Sequence, residues 1–196
     1  MALQIISLLL FTVFFSKALT LECYNCTTIA SSATCTQTAN CSSNSHCRYM
    51  TTYYAEIKSC TDSALCANWT MHVGQYNMVS RCCASDHCNN APAADPDNEL
   101  TCYTCSDTNC SKTLKCKGVE NQCITATVGF NGTNSIIKGC ASQNICNNST
   151  LVNPALPQGL IVSSVSCCGA NLCNNAQSTT QGLFLLVPIL SLLFSI

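Results

Sequence analysis

Cysteine is the residue type in this sequence with the widest range of possible chemistry, and it occurs 20 times among 196 residues. Thiols bind zinc, act as nucleophiles or pair as disulfides, and their surroundings decide which chemistry applies. Zinc is disfavoured, because histidine occurs only at His46, His72 and His87 and no Cys-x2-Cys pair is followed by a spaced pair of histidines. A density of about one cysteine in ten is typical of a secreted disulfide scaffold.

The first 20 residues indicate the redox compartment. An apolar run at residues 5–15 precedes small and polar residues, as in a secretory signal peptide, although its basic n-region is weak. The run is too short for a permanent membrane span, which needs about 20 apolar residues. We predict that residues 1–20 are removed before Leu21, with cleavage after Ala18 as the alternative. The chain then enters the oxidising secretory pathway, where cysteines pair.

Charge is scarce, since charged residues make up 9% of the chain and its net charge is −1. The sequence therefore has no electrostatic footprint for nucleic acid or anionic lipid. Surface polarity must come from Ser, Thr, Asn and attached sugar. Among the Asn-x-Ser/Thr triplets we predict glycosylation at Asn68, Asn131 and Asn147, with Asn148 as the alternative to the last. The remaining triplets, which have cysteine in the middle position and are poorer acceptors, begin at Asn25, Asn40 and Asn109.

The sequence contains an internal duplication. A proline-containing stretch at residues 91–96 separates two halves with ten cysteines each. Both halves open with Leu-x-Cys-Tyr-x-Cys, at Leu21 and Leu100, and both close with Cys-Cys-x4-Cys-Asn-Asn, beginning at Cys82 and Cys167. Matching motifs in the same order indicate a repeated unit. We predict two domains, residues 21–90 and 100–175, joined by a linker at residues 91–99.

Each half is too small to form a stable core without support, so disulfides must supply much of its stability. Residues 49–54 and 124–130 are rich in aromatic and β-branched types that favour strands. Asn131-Gly132 predicts a tight hairpin turn, with residues 135–137 as the return strand. No segment has a sustained helical period. The predicted fold class is small, disulfide-rich and all-β.

Ten cysteines allow on the order of a thousand pairings, so spacing alone leaves the connectivity open. The opening and closing motifs, however, resemble those of the lymphocyte-antigen-6/urokinase-receptor domain family, three-finger relatives of snake neurotoxins, over residues 21–175. The resemblance implies two tandem three-finger domains with five disulfides each and a structural role for Asn89 and Asn174. The implied pairs are Cys23–Cys47, Cys26–Cys35, Cys41–Cys60, Cys66–Cys82 and Cys83–Cys88, then Cys102–Cys123, Cys105–Cys110, Cys116–Cys140, Cys146–Cys167 and Cys168–Cys173.

The implied fingers are residues 27–40, 48–59 and 67–81 in the first domain. In the second they are residues 106–115, 124–139 and 147–166. The urokinase receptor has three such domains, the first lacking one bridge, whereas this sequence has two complete sets. The two-domain phospholipase inhibitors of snake blood have a similar layout without a membrane anchor.

The C-terminus carries a second targeting signal. A polar stretch at residues 174–182 precedes an uncharged apolar run at residues 183–196. Small residues, a polar spacer and a terminal apolar run predict attachment of glycosylphosphatidylinositol (GPI). We predict the lipid on Asn175 and removal of residues 176–196; the alternative attachment residues are Asn174, Ala176 and Ser178. A retained membrane span, for which this run is short, and a secreted form are the other possibilities.

Catalysis is not expected. Asp86-His87 stands near serines but lies within the tight Cys83–Cys88 loop, a poor place to desolvate a base. The sequence has no glycine-rich phosphate loop, paired carboxylates or metal-ligand spacing, so we expect no cofactor and no small-molecule substrate. If every cysteine is bridged, no nucleophilic thiol is left.

Function should therefore reside in binding by the finger surfaces. Aromatic side chains favoured at interfaces occur in the first half, and an apolar, proline-marked loop occurs in the second. The candidate ligand contacts are Tyr53, Tyr54, Trp69, Tyr76, Leu156 and Leu160. The alternative is that these residues pack on the sheet or between the domains.

We expect a GPI-anchored glycoprotein on the extracellular side of the cell membrane. As a receptor or adhesion module it would bind an extracellular or cell-surface protein. The alternative is an inhibitor or decoy of a secreted enzyme such as a phospholipase, or a modulator of a receptor or of complement. Finger loops vary freely on this scaffold, so the sequence does not identify the ligand.

Overall fold

The computed structural model describes residues 20–29, 34–52, 54–106, 109–130 and 132–175. The predicted signal peptide, apart from Thr20, and the predicted anchor signal at residues 176–196 lie outside the described residues. Two predicted site residues, Tyr53 and Asn131, also lie outside them.

The described chain is built mainly from strands, in agreement with the predicted all-β class. The first half contains β1 Glu22–Tyr24, β2 Cys26–Thr28, β3 Thr38–Asn40, β4 Ser45–Thr51, β5 Glu56–Asp62, β6 Trp69–Val73 and β7 Tyr76–Cys83. The second half contains β8 Asp97–Ser106, β9 Asn109–Lys117, β10 Gln122–Phe130, β11 Thr133–Ala141 and β12 Ile161–Cys168. The helical elements are short: 3₁₀ helices at Ser63–Leu65 and Ser149–Ala155, and α1 at Gln143–Asn147.

Eight strands from both halves form one continuous antiparallel sheet, in the order β12-β10-β11-β6-β7-β4-β5-β2. Two further pairs, β1 with β3 and β8 with β9, form separate two-stranded sheets. The halves join where β11 pairs with β6, placing Gly139 opposite Val73 and Cys140 opposite His72. Just beyond the last pair, the Ser142 backbone N–H donates to the Thr70 carbonyl oxygen over 2.9 Å. The sheet therefore does not stop at the domain boundary.

A shared hydrophobic core lies against this sheet. Trp69 and Met71 of the first half are at most 2% exposed, and they belong to the same buried cluster as Ile124, Ile145 and Val152 of the second half. Because each half alone is too small for a stable core, pooling apolar side chains across the junction increases the area removed from water.

All 20 cysteines are bridged, and the ten disulfides join the same pairs that the family resemblance implies. Buried cysteines form a compact cluster in each half, with Cys23, Cys41 and Cys47 in the first and an equivalent group in the second. Each domain thus has a disulfide knot from which its hairpins extend.

The second-half middle finger agrees with the hairpin prediction. Residues 124–130 lie in β10 and residues 135–137 lie in β11, and the two strands pair from Gln122 with Ala141 to Phe130 with Thr133. The third finger of the second half differs from the others, because its first arm is α1 followed by a 3₁₀ helix. Only its second arm, β12, is a strand.

The predicted linker, residues 91–99, overlaps the start of strand β8 at Asp97. Its remaining part is tied to the first domain by an ion pair, in which Arg81 Nη2 lies 3.0 Å from Asp95 Oδ2. The Gly118 backbone N–H also donates to the Pro96 carbonyl oxygen over 2.9 Å. Both domains therefore hold the connection in place.

Candidate binding surfaces

Two equivalent asparagines connect the C-terminal disulfide loop of each domain to its strands. Asn89 Oδ1 accepts a hydrogen bond from the Tyr24 backbone N–H over 3.1 Å, and Asn89 Nδ2 donates to the carbonyl oxygens of Tyr24 and Arg48. Asn174 repeats the arrangement with Tyr103 and Ile124. Both asparagines are buried, so these side chains position backbone rather than contact a ligand.

The first-domain finger ends expose apolar side chains. Tyr54, in the turn between β4 and β5, is 58% exposed, and Ile29, directly after β2, is 76% exposed. Strand β2 pairs with β5, placing Thr28 opposite Glu56. Ile29 and Tyr54 therefore lie at the same end of neighbouring strands, and we call this pair the fingertip. Sequence reasoning identified Tyr54 but missed Ile29, because an isolated apolar residue in a polar loop gives no periodic signal.

Four other predicted contacts occupy different environments. Trp69 is 2% exposed and is therefore corrected from a ligand contact to a core residue. Tyr76 and Leu156 are half-buried and pack against the shared core, which favours the alternative of packing between the domains. Leu160 is also half-buried. The apolar, proline-marked loop of the second half folds inward, with Val152 and Ala155 fully buried.

The predicted modification sites in the described residues lie at the surface. Asn68 and Asn147 are exposed. Asn68 Oδ1 accepts from the Cys82 backbone N–H over 2.8 Å, and Asn147 Oδ1 accepts from Gln143 Nε2 over 3.0 Å. Asn175, the predicted lipid attachment residue, is exposed at the end of the described chain.

The Asp86-His87 pair is engaged in holding its loop. Asp86 Oδ1 accepts from the Glu22 backbone N–H over 2.8 Å. The His87 ring lies 5.2 Å from the Tyr24 ring, and its Nε2 is 3.5 Å from Glu22 Oε2.

Two groups of three buried cysteine sulfurs lie close together, one in each domain. Every one of these sulfurs belongs to a disulfide. Zinc binds cysteine as the thiolate, so the bridged sulfurs are not zinc ligands. Their closeness results from two disulfides packing side by side in each knot.

Burial shifts several titratable groups. It raises the pKa of Glu120 to about 7, against a partly opposing effect of the hydrogen bond that Glu120 Oε2 accepts from the Lys117 backbone N–H. Burial and the neighbouring Glu56 raise the pKa of Tyr49 to about 12. Burial, reinforced by Lys117, lowers the pKa of His72. In each case burial has the largest effect on the pKa.

Comparison with known sequences matches both halves to one family. Residues 21–89 and 100–174 each match the sequence model of a family described as snake toxin and toxin-like protein. The two matches together cover most of the chain and lie within its two halves. In the part of the chain that the structure describes, no helix is long and apolar enough to cross a membrane.

Individual relatives include a receptor, an inhibitor and a lymphocyte antigen. The chain is 28% identical to the urokinase plasminogen activator surface receptor of Rattus norvegicus, over 86% of this chain and 58% of that one. It is 31% identical to a gamma-type phospholipase A2 inhibitor of Elaphe climacophora, over 45% and 54% of the two chains. It is 32% identical to lymphocyte antigen 6E of Gallus gallus, over 41% and 65%. In each comparison the match spans less than two thirds of the relative's length.

Proposed function

The chain belongs to the snake toxin and toxin-like protein family as a two-domain member of lymphocyte-antigen-6/urokinase-receptor type, and from this membership we propose that it is a cell-surface binding protein whose first-domain fingertip contacts a protein ligand. We further propose that it performs no catalysis. A receptor is the better-supported binding class, because the match to the rat receptor extends over 86% of this chain.

The observation that carries the proposal is the fingertip. Ile29 and Tyr54 expose most of their side chains side by side at one end of the eight-stranded sheet, whereas the other exposed large apolar residues of that sheet, Ile136 and Ile161, lie in the second domain. Tyrosine is a favoured interface anchor, since it combines a large apolar ring with a hydroxyl group. The disulfide knot and the pairing of β5 with β2 and β4 hold the backbone of these strands in place, so binding requires little ordering of the strand backbone.

The first test uses protein purified from cells that express the full chain, multimerised and applied to a panel of cell types. We expect saturable binding to a subset of cells that depends on a protease-sensitive surface molecule. The double variant Ile29→Ser/Tyr54→Ser should reduce the affinity by about tenfold or more, the size of effect expected for an interface anchor. Ser164→Ala, on the exposed side of β12, is the matched control. Equal binding by both variants would argue against the fingertip.

The predicted lipid anchor completes the proposed localisation on the outer face of the cell membrane. The exposed position of Asn175 supports attachment there. Phosphatidylinositol-specific phospholipase C should release the protein from intact cells into the medium. Retention on the surface, beside a control protein that is released, would instead indicate that residues 183–196 remain in the mature protein as a membrane segment.

Inhibition of a secreted phospholipase A2 is the second candidate function. The similarity to the gamma-type phospholipase A2 inhibitor, 31% over 107 residues, favours it. The discriminating measurement is hydrolysis of phospholipid vesicles by a panel of secreted phospholipases with increasing amounts of the purified protein. Stoichiometric loss of hydrolysis supports inhibition, whereas unchanged rates with saturable cell binding support the receptor.

A further inference from the structure

A groove lies where the two domains meet, away from the fingertip. Its volume is about 550 Å³, within the range of sites that hold peptides and small ligands. The walls come from the β6–β7 turn of the first domain and from β8 and β9 of the second, and residues 135–138 of β11 form one side. Thr104 fixes the walls together, because its hydroxyl accepts from the Gly74 backbone N–H over 2.8 Å and donates to the Lys138 carbonyl oxygen over 3.1 Å.

One side of the groove is an open strand edge. Strand β11 pairs with β10 along its whole length but pairs with β6 only at residues 139–141. Ser142 directs its N–H toward β6, and successive residues of a strand direct their backbone groups to opposite edges. Lys138, Ile136 and Asn134 therefore direct N–H and C=O to the same edge as Ser142. In the described part of the chain no strand is hydrogen-bonded to this edge at Ile136, although β8 and β9 pack close to β11.

The described lining of the groove carries positive charge. Lys112 and Lys138 are among its lining residues, and no lining residue has a carboxylate. Lys138 is 4% exposed, and neither lysine takes part in an ion pair among the described residues. Two lysines with no carboxylate among the lining residues make the groove complementary in charge to an acidic ligand.

We propose that this groove binds an extended acidic segment of a partner protein, which adds as a strand to the open edge of β11 at Asn134 and Ile136. Backbone hydrogen bonds provide the pairing, and an acidic side chain of the segment meets Lys138 and Lys112. Ile136, which is 55% exposed, offers apolar contact to a side chain of the segment. The inference rests on the proposed function in assuming a protein ligand, but it concerns a different surface.

The probe is a short acetylated peptide that alternates valine and glutamate, tested against protein purified from cells expressing the full chain. The same peptide with lysine in place of glutamate is the charge control. We expect the acidic peptide to bind at least about tenfold more tightly than the basic one. Amide hydrogen exchange should slow at Ile136 and Asn134, whereas the amides of Ser135 and Ile137, which face β10, should change little. Slower exchange at every second amide of β11 is the pattern that strand addition to this edge predicts.

Two variants separate charge from pairing. Lys138→Met keeps the buried alkyl part of the side chain and should weaken the binding of the acidic peptide by about tenfold. Ile136→Pro removes an N–H that faces the groove without removing a bond to β10, and it should abolish binding, whereas Ile136→Val should retain it. If the proline variant fails to fold, a peptide N-methylated on its backbone, which has lost the same kind of hydrogen bond, should fail to bind the unaltered protein.

Several results would overturn the proposal: no binding of the acidic peptide, equal binding of both peptides, unaltered binding by the N-methylated peptide, or slowed exchange along β12 instead of β11. A dimer in sedimentation that the acidic peptide dissociates would also overturn it, because the occupant would then be a second copy of this chain. Ile29→Ser/Tyr54→Ser should leave peptide binding unchanged. The fingertip and groove proposals can therefore fail independently.

Discussion

Asn89 and Asn174 illustrate how single side chains determine the architecture at the residue scale. Each side chain forms three hydrogen bonds that connect the last disulfide loop to the backbone of the strands. The family resemblance implied this structural role, and the geometry gives its physical basis. An amide is required because it donates and accepts at the same time, which a carboxylate does not.

Asn89→Ala should lower the free energy of unfolding by about 3 kcal/mol, because it leaves one N–H and two carbonyl oxygens without partners at a buried position. Denaturant unfolding with disulfides intact measures the change, and secretion from expressing cells should fall in parallel. The exposed neighbour provides the control, since Asn90→Ala should change stability by less than about 0.5 kcal/mol. Equal effects of the two substitutions would contradict this role.

Glu120 makes stability depend on pH. Its pKa is raised by burial from 4.5 to about 7 in the folded protein. The folded state therefore binds this proton more tightly than the unfolded state does. The resulting stabilisation is complete below the unfolded pKa and is lost as pH rises through about 7.

Glu120→Gln should remove this dependence, because glutamine is neutral throughout and can still accept from the Lys117 N–H. We expect the variant to be more stable than the unaltered protein at about pH 8, by on the order of 2 kcal/mol, and similar to it at about pH 4. Urea unfolding at both pH values is the measurement, and exposed Glu99→Gln is the control. A stability difference independent of pH would refute the assignment.

At the element scale, the junction of β6 and β11 depends on a close backbone approach. A Cβ added at Gly139 would overlap the carbonyl oxygen of His72 and lie 2.9 Å from Val73 Cγ1. The pairing there spans three residue pairs, so little else within the ladder can compensate for a displaced strand. Glycine at this position lets the two domains share a sheet.

Gly139→Ala should therefore cost about 1–3 kcal/mol, the range for forced overpacking, and should speed amide exchange at the junction residues Met71 and Ala141. Gly169→Ala is the matched control, because its added Cβ would meet no heavy atom closer than 3.6 Å. If both glycines tolerate alanine equally, the close approach does not hold the junction together.

Local patterns predicted some of these elements and not others. The Asn-Gly signal placed the hairpin of β10 and β11 correctly, because a tight turn is specified by its own residues. Trp69 was wrongly predicted as a ligand contact, because apolar character predicts burial or binding equally well. No local sequence pattern predicted the pairing of β6 with β11, because the paired residues lie far apart in sequence. The pairing also requires a residue without a side chain at position 139, which is glycine.

At the scale of the whole molecule, the shared sheet and core lead us to expect that the two halves unfold as one cooperative unit. They share a sheet and a core, and Trp69, the only tryptophan of the chain, is buried where the halves meet. Duplication predicted two domains, but repeated motifs carry no information about how the copies pack. A shared core makes independent domain motion improbable, since separation would expose the apolar side chains of both halves.

Cooperative coupling predicts a single unfolding transition. Trp69 fluorescence, which reports the junction, should change at the same denaturant concentration as far-ultraviolet circular dichroism, which reports the strands. Disulfides must remain intact during the measurement. If the Trp69 signal changes at a clearly lower denaturant concentration, the junction opens before the domains unfold and the shared core is not a unifying element.

The most direct test of the proposed binding function is photo-cross-linking on living cells. A photoreactive amino acid is placed at position 54, 29 or 164 of the full chain, and the adducts are identified after illumination. We expect positions 54 and 29 to capture the same surface or secreted protein, and position 164 on β12 to capture none of it. Adducts to the same protein at all three positions, or none at the fingertip on cells that bind the protein, would contradict a ligand site at the fingertip.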